Sequence, residues 1–314
     1  MSHFLKRRAL PGLPRLFSAA VLALAFAQAT PALGQEKMEV RHAQGTTSVP
    51  HNPQRVVVFD LASLDTLDAL GIEVDGVPGG VLPDDLSEYA ADGIPKVGTV
   101  FEPDYEAVNA LEPDLIIVGG RSAAKYQDLS RIAPTIDLTI DTADYLADVA
   151  KNVELLGGIF DKEKEAESRL AALRQSVEGL RAATSKIGNG LLVLTTGTKM
   201  SAYGPGSRFG ILHGTFGVTP AIKDLQVSQH GQSISSEFIL QTNPDWLFVI
   251  DRDAAIGRGG AAKTVLDNEL VTQAKAWKED QVVYLDPVNW YLVGGGLRSV
   301  QNMVDQLAQA FKKG

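Results

Sequence analysis

Cysteine is absent from all 314 residues. Its absence excludes disulfides, thiolate metal sites and a thiol nucleophile, and leaves no cysteine to carry a lipid anchor. Long hydrophobic runs are also missing. The apolar stretch at residues 16–27 falls short of the roughly 20 residues that a membrane helix needs. It follows Lys6, Arg7, Arg8 and Arg15 and precedes the small-x-small pattern Ala32-Leu33-Gly34, with Ala27-Gln28-Ala29 as a second candidate cut. No acidic residue precedes Glu36. These features predict a signal peptide over residues 1–34 and a mature chain free in the periplasm. Arg7-Arg8 leaves both the general and the twin-arginine export routes open.

Positive charge is scarce. Lys and Arg number 29 against 38 Asp and Glu, a formal net charge of −9. Removing the leader's four cations takes this to about −13. A nucleic-acid binder carries the opposite sign, so nucleic acid is excluded as a partner. An anionic ligand would require a local Arg or Lys cluster. The five histidines, His3, His42, His51, His213 and His230, are scattered, which argues against capture of a bare divalent metal. His42 and His51 read as part of a polar segment ahead of the first strand. The glycine runs at residues 257–260 and 294–296 lack the spaced Lys-Ser/Thr of a phosphate loop and read as flexible loops bordering a cleft.

Short apolar runs alternate with helical patterns, which predicts α/β lobes with largely parallel sheets. Strands are expected at residues 55–60, 114–119 and 135–140 in the first half, with a helix at 61–70. In the second half they are expected at 191–196, 246–251 and 282–285, with a closing helix at 300–312. Between the halves, residues 142–184 are rich in strong helix formers, and Gly157-Gly158 is the expected break. Ala166, Leu170, Leu173, Val177 and Leu180 recur at helical spacing and predict one buried face. About 280 residues after the leader exceed one comfortable core. The expected layout is an N-terminal lobe at 35–141, a connecting helical segment at 142–187 and a C-terminal lobe at 188–314. A helical connection, unlike a Gly/Ser linker, holds two lobes at a nearly fixed separation.

One spacing occurs twice. Glu106, Pro113-Asp114, a four-residue apolar run and Arg121 match Glu237, Pro244-Asp245, a second apolar run and Arg252. A short helix ended by proline and followed by a strand explains the pattern. The Glu then lies near the helix start and the Arg just past the strand end. Both share the sheet edge at which open α/β folds bind ligands. An acidic first helical turn has a plain electrostatic rationale as well.

Asn52-Pro53-Gln54-Arg55-Val56-Val57, the central helical segment and the paired Pro-Asp strands resemble the periplasmic binding proteins for siderophores, haem and cobalamin. Residues 203–210 (Tyr-Gly-Pro-Gly-Ser-Arg-Phe-Gly), Gln229-His230-Gly231 and Asn289-Trp290-Tyr291 resemble the branch that binds ferric catecholates. The resemblance implies two Rossmann-like lobes joined by a long rigid helix, a ligand cleft between them, no catalysis and no intrinsic cofactor, with Fe(III) carried as a siderophore chelate. It also implies docking on an inner-membrane ABC permease through Glu106 and Glu237, with the carrier a monomer.

Arg121, Arg208 and Arg252 are the candidate cations for a ferric catecholate, because guanidinium stays charged and donates a planar fork of hydrogen bonds. Lys125, one turn beyond Arg121, is a fourth candidate. The resemblance places His230 and Tyr291 as direct ligands to iron, and imidazole nitrogen and phenolate oxygen suit Fe(III) when a four-donor siderophore leaves two positions open. Trp290 and Val293 are expected to pack against ligand rings or the core. The alternatives are a carrier of haem, cobalamin or a hydroxamate, or a siderophore esterase using Ser207. The last lacks a Gly-x-Ser-x-Gly elbow.

Overall fold

Strand formation begins earlier than the hydrophobic pattern indicates. In the computed structural model, which describes residues 36–225, 228 and 230–312, β1 (Lys37–His42) and β2 (Gly45–Pro50) pair as an antiparallel hairpin. His42 is buried within it and its Nε2 lies 2.9 Å from the Thr47 hydroxyl. The polar segment expected there is therefore a strand pair. Its alternation is masked by Thr and Ser facing out. The leader at 1–34 lies outside the described residues.

β3 (Val56–Val58), β4 (Leu115–Val118) and β5 (Thr135–Asp137) form an all-parallel sheet. Helix α1 (Leu61–Ala69) follows β3, capped by the Asp60 carboxylate on the Ser63 amide. α2 (Tyr105–Ala110) leads into β4, and α3 (Tyr126–Leu129) into β5. Each strand is fully buried, as a sheet covered on both faces requires.

The connecting segment is two helices, α4 (Tyr145–Ile159) and α5 (Glu163–Thr184). The expected break at Gly157-Gly158 is not found. Both glycines are helical, and the chain turns at Asp161, whose φ is +57°. Gly157 serves packing instead: a Cβ there would sit 2.9 Å from the Ala166 methyl of α5. The five residues of the predicted apolar face are all buried.

The second half builds a larger mixed sheet. β6 (Asn189–Thr196) is its hub, with β7 (Lys199–Tyr203) antiparallel on one side. α6 (Ile211–Gly214) and the two-residue β8 (Thr219–Pro220) follow. β9 (Gln232–Ile234) pairs antiparallel with β7. Then come α7 (Ser236–Thr242), β10 (Trp246–Asp251), α8 (Arg252–Ala255), α9 (Ala262–Leu266), α10 (Lys275–Lys278) and β11 (Val282–Tyr284). β10 and β11 extend the sheet in parallel. A one-turn π-helix, Val288–Val293, precedes the closing helix α11 (Leu297–Ala310). Largely parallel order thus holds except for the β1–β2 hairpin and the β6–β7–β9 edge, where the tight turn at Gly197 returns the chain from β6 directly into β7.

The repeated spacing has a concrete cause. Glu112 and Asn243, each just before proline, adopt φ of +46° and +45° and stop α2 and α7. The following aspartates then tie paired strands together. Asp114 accepts the backbone N–H of Gln54 and Arg55 ahead of β3. Asp245 accepts that of Asn189, which opens β6. In both lobes the second strand's first carboxylate holds the start of the first strand. The described residues form one compact unit.

Candidate functional site

Both repeat arginines reach one tyrosine. Arg121 follows β4, and its two terminal nitrogens donate to the carbonyls of Leu292 at 3.0 Å and Tyr291 at 2.5 Å. Arg252 opens α8, and its Nε lies 3.0 Å from the Tyr291 hydroxyl. Arg208 donates to the same Tyr291 carbonyl at 3.0 Å. The three guanidinium carbons sit 5.3, 4.7 and 5.9 Å from the Tyr291 ring centroid for Arg121, Arg208 and Arg252. Three cations thus surround one phenol ring whose backbone lies in the π-helix, a distortion that often marks a functional segment.

The loop carrying Arg208 is fixed by its own backbone. The Ser207 hydroxyl donates to the Gly204 carbonyl at 2.7 Å, and the Gly210 amide to the Ser207 carbonyl at 2.8 Å. Gly206 has φ +76°, which favours glycine. Ser207 is buried, with its hydroxyl committed to the backbone. That arrangement gives no footing to the esterase alternative. Arg208 also stacks 4.7 Å over Phe209.

The cations are thinly compensated. Among the described residues no carboxylate lies within ion-pair distance of Arg121 or Arg208, and Arg252 has only Asp253 at 3.6 Å. Burial, then repulsion from Arg208, holds the Arg121 guanidinium below its ordinary value. Tyr291 shows the converse balance. Burial pushes its phenol up, but the Arg252 hydrogen bond and the fields of all three arginines outweigh it and bring it below 10.0. Such a phenol gives up its proton to a metal more readily.

His230 and Tyr291 line one chamber of the cleft, about 610 Å³, together with Arg252, Lys199 and Tyr203. The His230 turn is held by Gly231, whose φ is +69° and whose missing Cβ would lie 2.8 Å from the Tyr203 ring. His230 itself is exposed. Among the described residues no group of three His, Cys, Asp or Glu side chains converges to hold a metal ion. Two protein donors suit an iron whose other positions a chelator fills.

Lys125 is not brought to the arginines. Its ammonium pairs with Glu102 at 2.8 Å, and it lines neither cleft chamber. Trp290 is core: it is buried, its indole N–H meets Gln306 at 3.1 Å, and its ring packs edge-on against Phe216. The glycines at 294–296 allow close approach rather than flexibility. A Cβ on Gly295 would strike Ile140, and one on Gly296 would strike Asp65. Phe101, which no sequence motif marks, is 56% exposed and lines both chambers. A lone aromatic in a loop carries no local signal of a cleft.

Glu106 and Glu237 both lie exposed in the first turns of α2 and α7, behind the capping side chains of Asp104 and Ser235.

Known proteins resemble this chain in sequence and fold. The chain is 42% identical to the petrobactin-binding protein YclQ of Bacillus subtilis, over 95% of this chain and 97% of that one. It is 33% identical to the ferric-anguibactin-binding protein FatB of Vibrio anguillarum, over 87% of each. The structure of YclQ superposes with a TM-score of 0.87 at 44% identity, covering 89% of this chain and all of that one. The catecholate-siderophore-binding protein VctP of Vibrio cholerae superposes at 0.83 and 31%, covering 87% of this chain and all of that one. The model of the periplasmic binding protein family matches residues 56–288, and the chain belongs to that family of two-lobed binding proteins, which are not enzymes.

Proposed function

We propose that this protein captures a ferric catecholate siderophore in the periplasm and delivers it to an inner-membrane ABC transporter. The observation that carries the reading is the ring of Arg121, Arg208 and Arg252 around Tyr291, with little carboxylate to offset it. A ferric ion wrapped in catecholates is strongly anionic, and bringing it out of water requires such charge. Haem, cobalamin and neutral hydroxamates have less use for three guanidiniums. VctP binds a catecholate siderophore, YclQ petrobactin and FatB ferric anguibactin, which supports a siderophore cargo. His230 and Tyr291 complete the coordination of iron when the siderophore offers four donors. Glu106 and Glu237 dock on the permease, and the carrier works as a monomer. Residues 1–34 are the export signal, and without cysteine the mature chain carries no lipid anchor.

Visible spectra and tryptophan quenching test this. Ferric complexes of two-catechol and three-catechol ligands should bind, and each of Arg121→Gln, Arg208→Gln and Arg252→Gln should weaken binding about tenfold. With the two-catechol complex, His230→Ala and Tyr291→Phe should each shift the charge-transfer band; with three catechols, neither should. Quenching by haem or a ferric hydroxamate but not by catecholates would overturn the reading. Unchanged spectra in both variants would confine the protein's grip to the organic shell.

A further inference from the structure

Tyr291 is gripped from both sides of the cleft. From the second lobe, Arg208 donates to its carbonyl at 3.0 Å and Arg252 to its hydroxyl at 3.0 Å, while the Phe209 ring lies 6.4 Å from its own, centre to centre. Beside it, Trp290 is seated edge-on against Phe216. These contacts fix the π-helix to the second lobe. From the first lobe, Arg121 reaches across 170 positions of chain to the Tyr291 carbonyl and takes that of Leu292 as well.

Those two carbonyls need an outside donor. They lie in the last turn of the π-helix, which Gly294 ends with φ +72°. The closing carbonyls of a helix have no partner within it, and Arg121 supplies the missing donors. The base of Arg121 is itself fixed. Gly120 has φ +49° and its amide donates to Thr139 Oγ1 at 2.9 Å. The Gly119 amide donates to the hydroxyl of buried Ser122 at 3.0 Å. One guanidinium thus ties a braced turn of the first lobe to a braced turn of the second. Arg121 and Tyr291, with Phe101 and Arg208, also form the partition between the His230 chamber of about 610 Å³ and a second chamber of about 500 Å³.

We infer that Arg121 is a latch across the cleft. Its fork holds the lobes together on Tyr291, and a bulky ligand enters only after the fork lets go of the two carbonyls. Once the ligand is inside, its oxygens take the place of those carbonyls. Arg208 meets the same carbonyl from Tyr291's own lobe, so its bond does not cross the cleft. The two arginines therefore differ in kinetics although they share charge and partner. The association rate is the encounter rate multiplied by the fraction of molecules with the latch open. Charge-assisted hydrogen bonds are strong, which keeps that fraction small. Removing either cation slows encounter with an anion. Removing Arg121 also raises the open fraction, and the second effect dominates. The ligand's part in this exchange rests on the reading of the cleft as a ferric catecholate site.

Stopped-flow fluorescence quenching with a ferric three-catechol complex reads the association rate. Arg208→Gln should slow association about threefold, the effect of lost steering alone. Arg121→Gln should instead speed it about fivefold, within the roughly tenfold that one charge-assisted hydrogen bond is worth. Dissociation should quicken by more, because affinity falls. Arg121→Lys keeps the charge but replaces the planar fork with a single ammonium, and should speed association as well. Slowing in both glutamine variants, or in Arg121→Lys, would make Arg121 an ordinary ligand-facing cation and overturn the latch.

A second measurement needs no ligand. The chain has no cysteine, so spin labels on Asn109→Cys and Gln241→Cys, at exposed positions of α2 and α7, report one distance between the lobes. Its distribution should be narrow in the otherwise unaltered protein, broaden in Arg121→Gln and stay narrow in Arg208→Gln. An unchanged distribution in Arg121→Gln would overturn the latch whatever the ligand. Failure of every ferric catecholate to bind, with the broadening intact, would instead overturn the cleft reading and leave the latch standing.

Discussion

Tyr291 shows how far a few charges can override burial. Its phenol is half-buried, which alone would raise its pKa, yet Arg252, Arg208 and Arg121 bring it below 10.0. Tyr89, Tyr145, Tyr203 and Tyr284, each partly or wholly buried without such cations in control, are pushed up. An ultraviolet titration of the unliganded protein should therefore show one tyrosine ionising ahead of the ordinary range. Tyr291→Phe should remove that step. Arg252→Gln should move it upward, because it deletes both the hydrogen bond and the positive charge that acts most on the hydroxyl. A step that survives Tyr291→Phe belongs to another residue and would remove the electrostatic account. The arginines themselves were legible in the sequence because the repeat placed two of them at strand ends. Helical spacing alone puts Lys125 with the cluster, but Glu102, 23 positions earlier in the chain, takes its ammonium.

At the scale of elements, α11 begins without a cap from its own segment. Gly296 precedes it and has no side chain. The role passes to α1, whose Asp65 Oδ2 accepts the amides of Arg298 at 2.8 Å and Ser299 at 3.1 Å. Thr66 accepts the amide of Leu297 at 3.2 Å, and Arg298 pairs with Asp68 at 2.5 Å. The first and last major helices are thereby joined through a buried carboxylate, and the Gly294–Gly296 strap that follows Tyr291 is held at its far end. Burial pushes the Asp65 carboxyl up to about 6, against the pull of those amides and of Arg298. The folded protein thus holds this proton more tightly than the unfolded chain, whose value is near 3.8. The contribution is complete below about pH 4 and lost as pH rises through about 6, a change of about 3 kcal/mol. Asp65→Asn should flatten that part of the stability profile in denaturant titrations, and Asp65→Ala should cost about 1–3 kcal/mol by stranding buried amides. An unaltered slope in Asp65→Asn would assign the pH dependence elsewhere. Sequence periodicity placed β3, β4, β5, β6, β10, β11 and α5 to within a few residues, because buried faces repeat at 2.0 or 3.6, but it left out β1, β2, β7, β8 and β9. It missed the Asp65 cap, since that bond links residues 233 positions apart. It also put the α4–α5 break at two glycines that serve close packing, whereas the turn falls at Asp161, which tolerates a left-handed backbone.

The whole molecule is built to keep its two lobes in register. α5 spans about 33 Å at 1.5 Å per residue. Its C-terminal end is tied to the second lobe by Arg181, donating to the carbonyls of Gly214 and Thr215, and by the Thr184 hydroxyl on the Phe216 carbonyl at 2.8 Å. α4 is tied to the first lobe through Asn152 on the Leu138 carbonyl at 3.0 Å, and Asn52 donates to the carbonyl of Ile159 at 2.8 Å. Arg121 bridges directly from the first lobe to the π-helix of the second. Glu106 and Glu237, one per lobe, are therefore presented at a nearly fixed spacing. Under the proposed docking, two weak contacts at fixed spacing act as one bivalent contact, because forming the first brings the second to high effective concentration. Losing one should then cost most of the docking strength. In transport assays with the purified permease, Glu106→Ala and Glu237→Ala should each reduce uptake strongly, the double variant only a little further, and siderophore affinity should be unchanged in all three, since neither side chain lines the cleft. Uptake that falls in two equal, independent steps would show lobes that dock separately. Normal uptake in the double variant would place the permease contact on another surface.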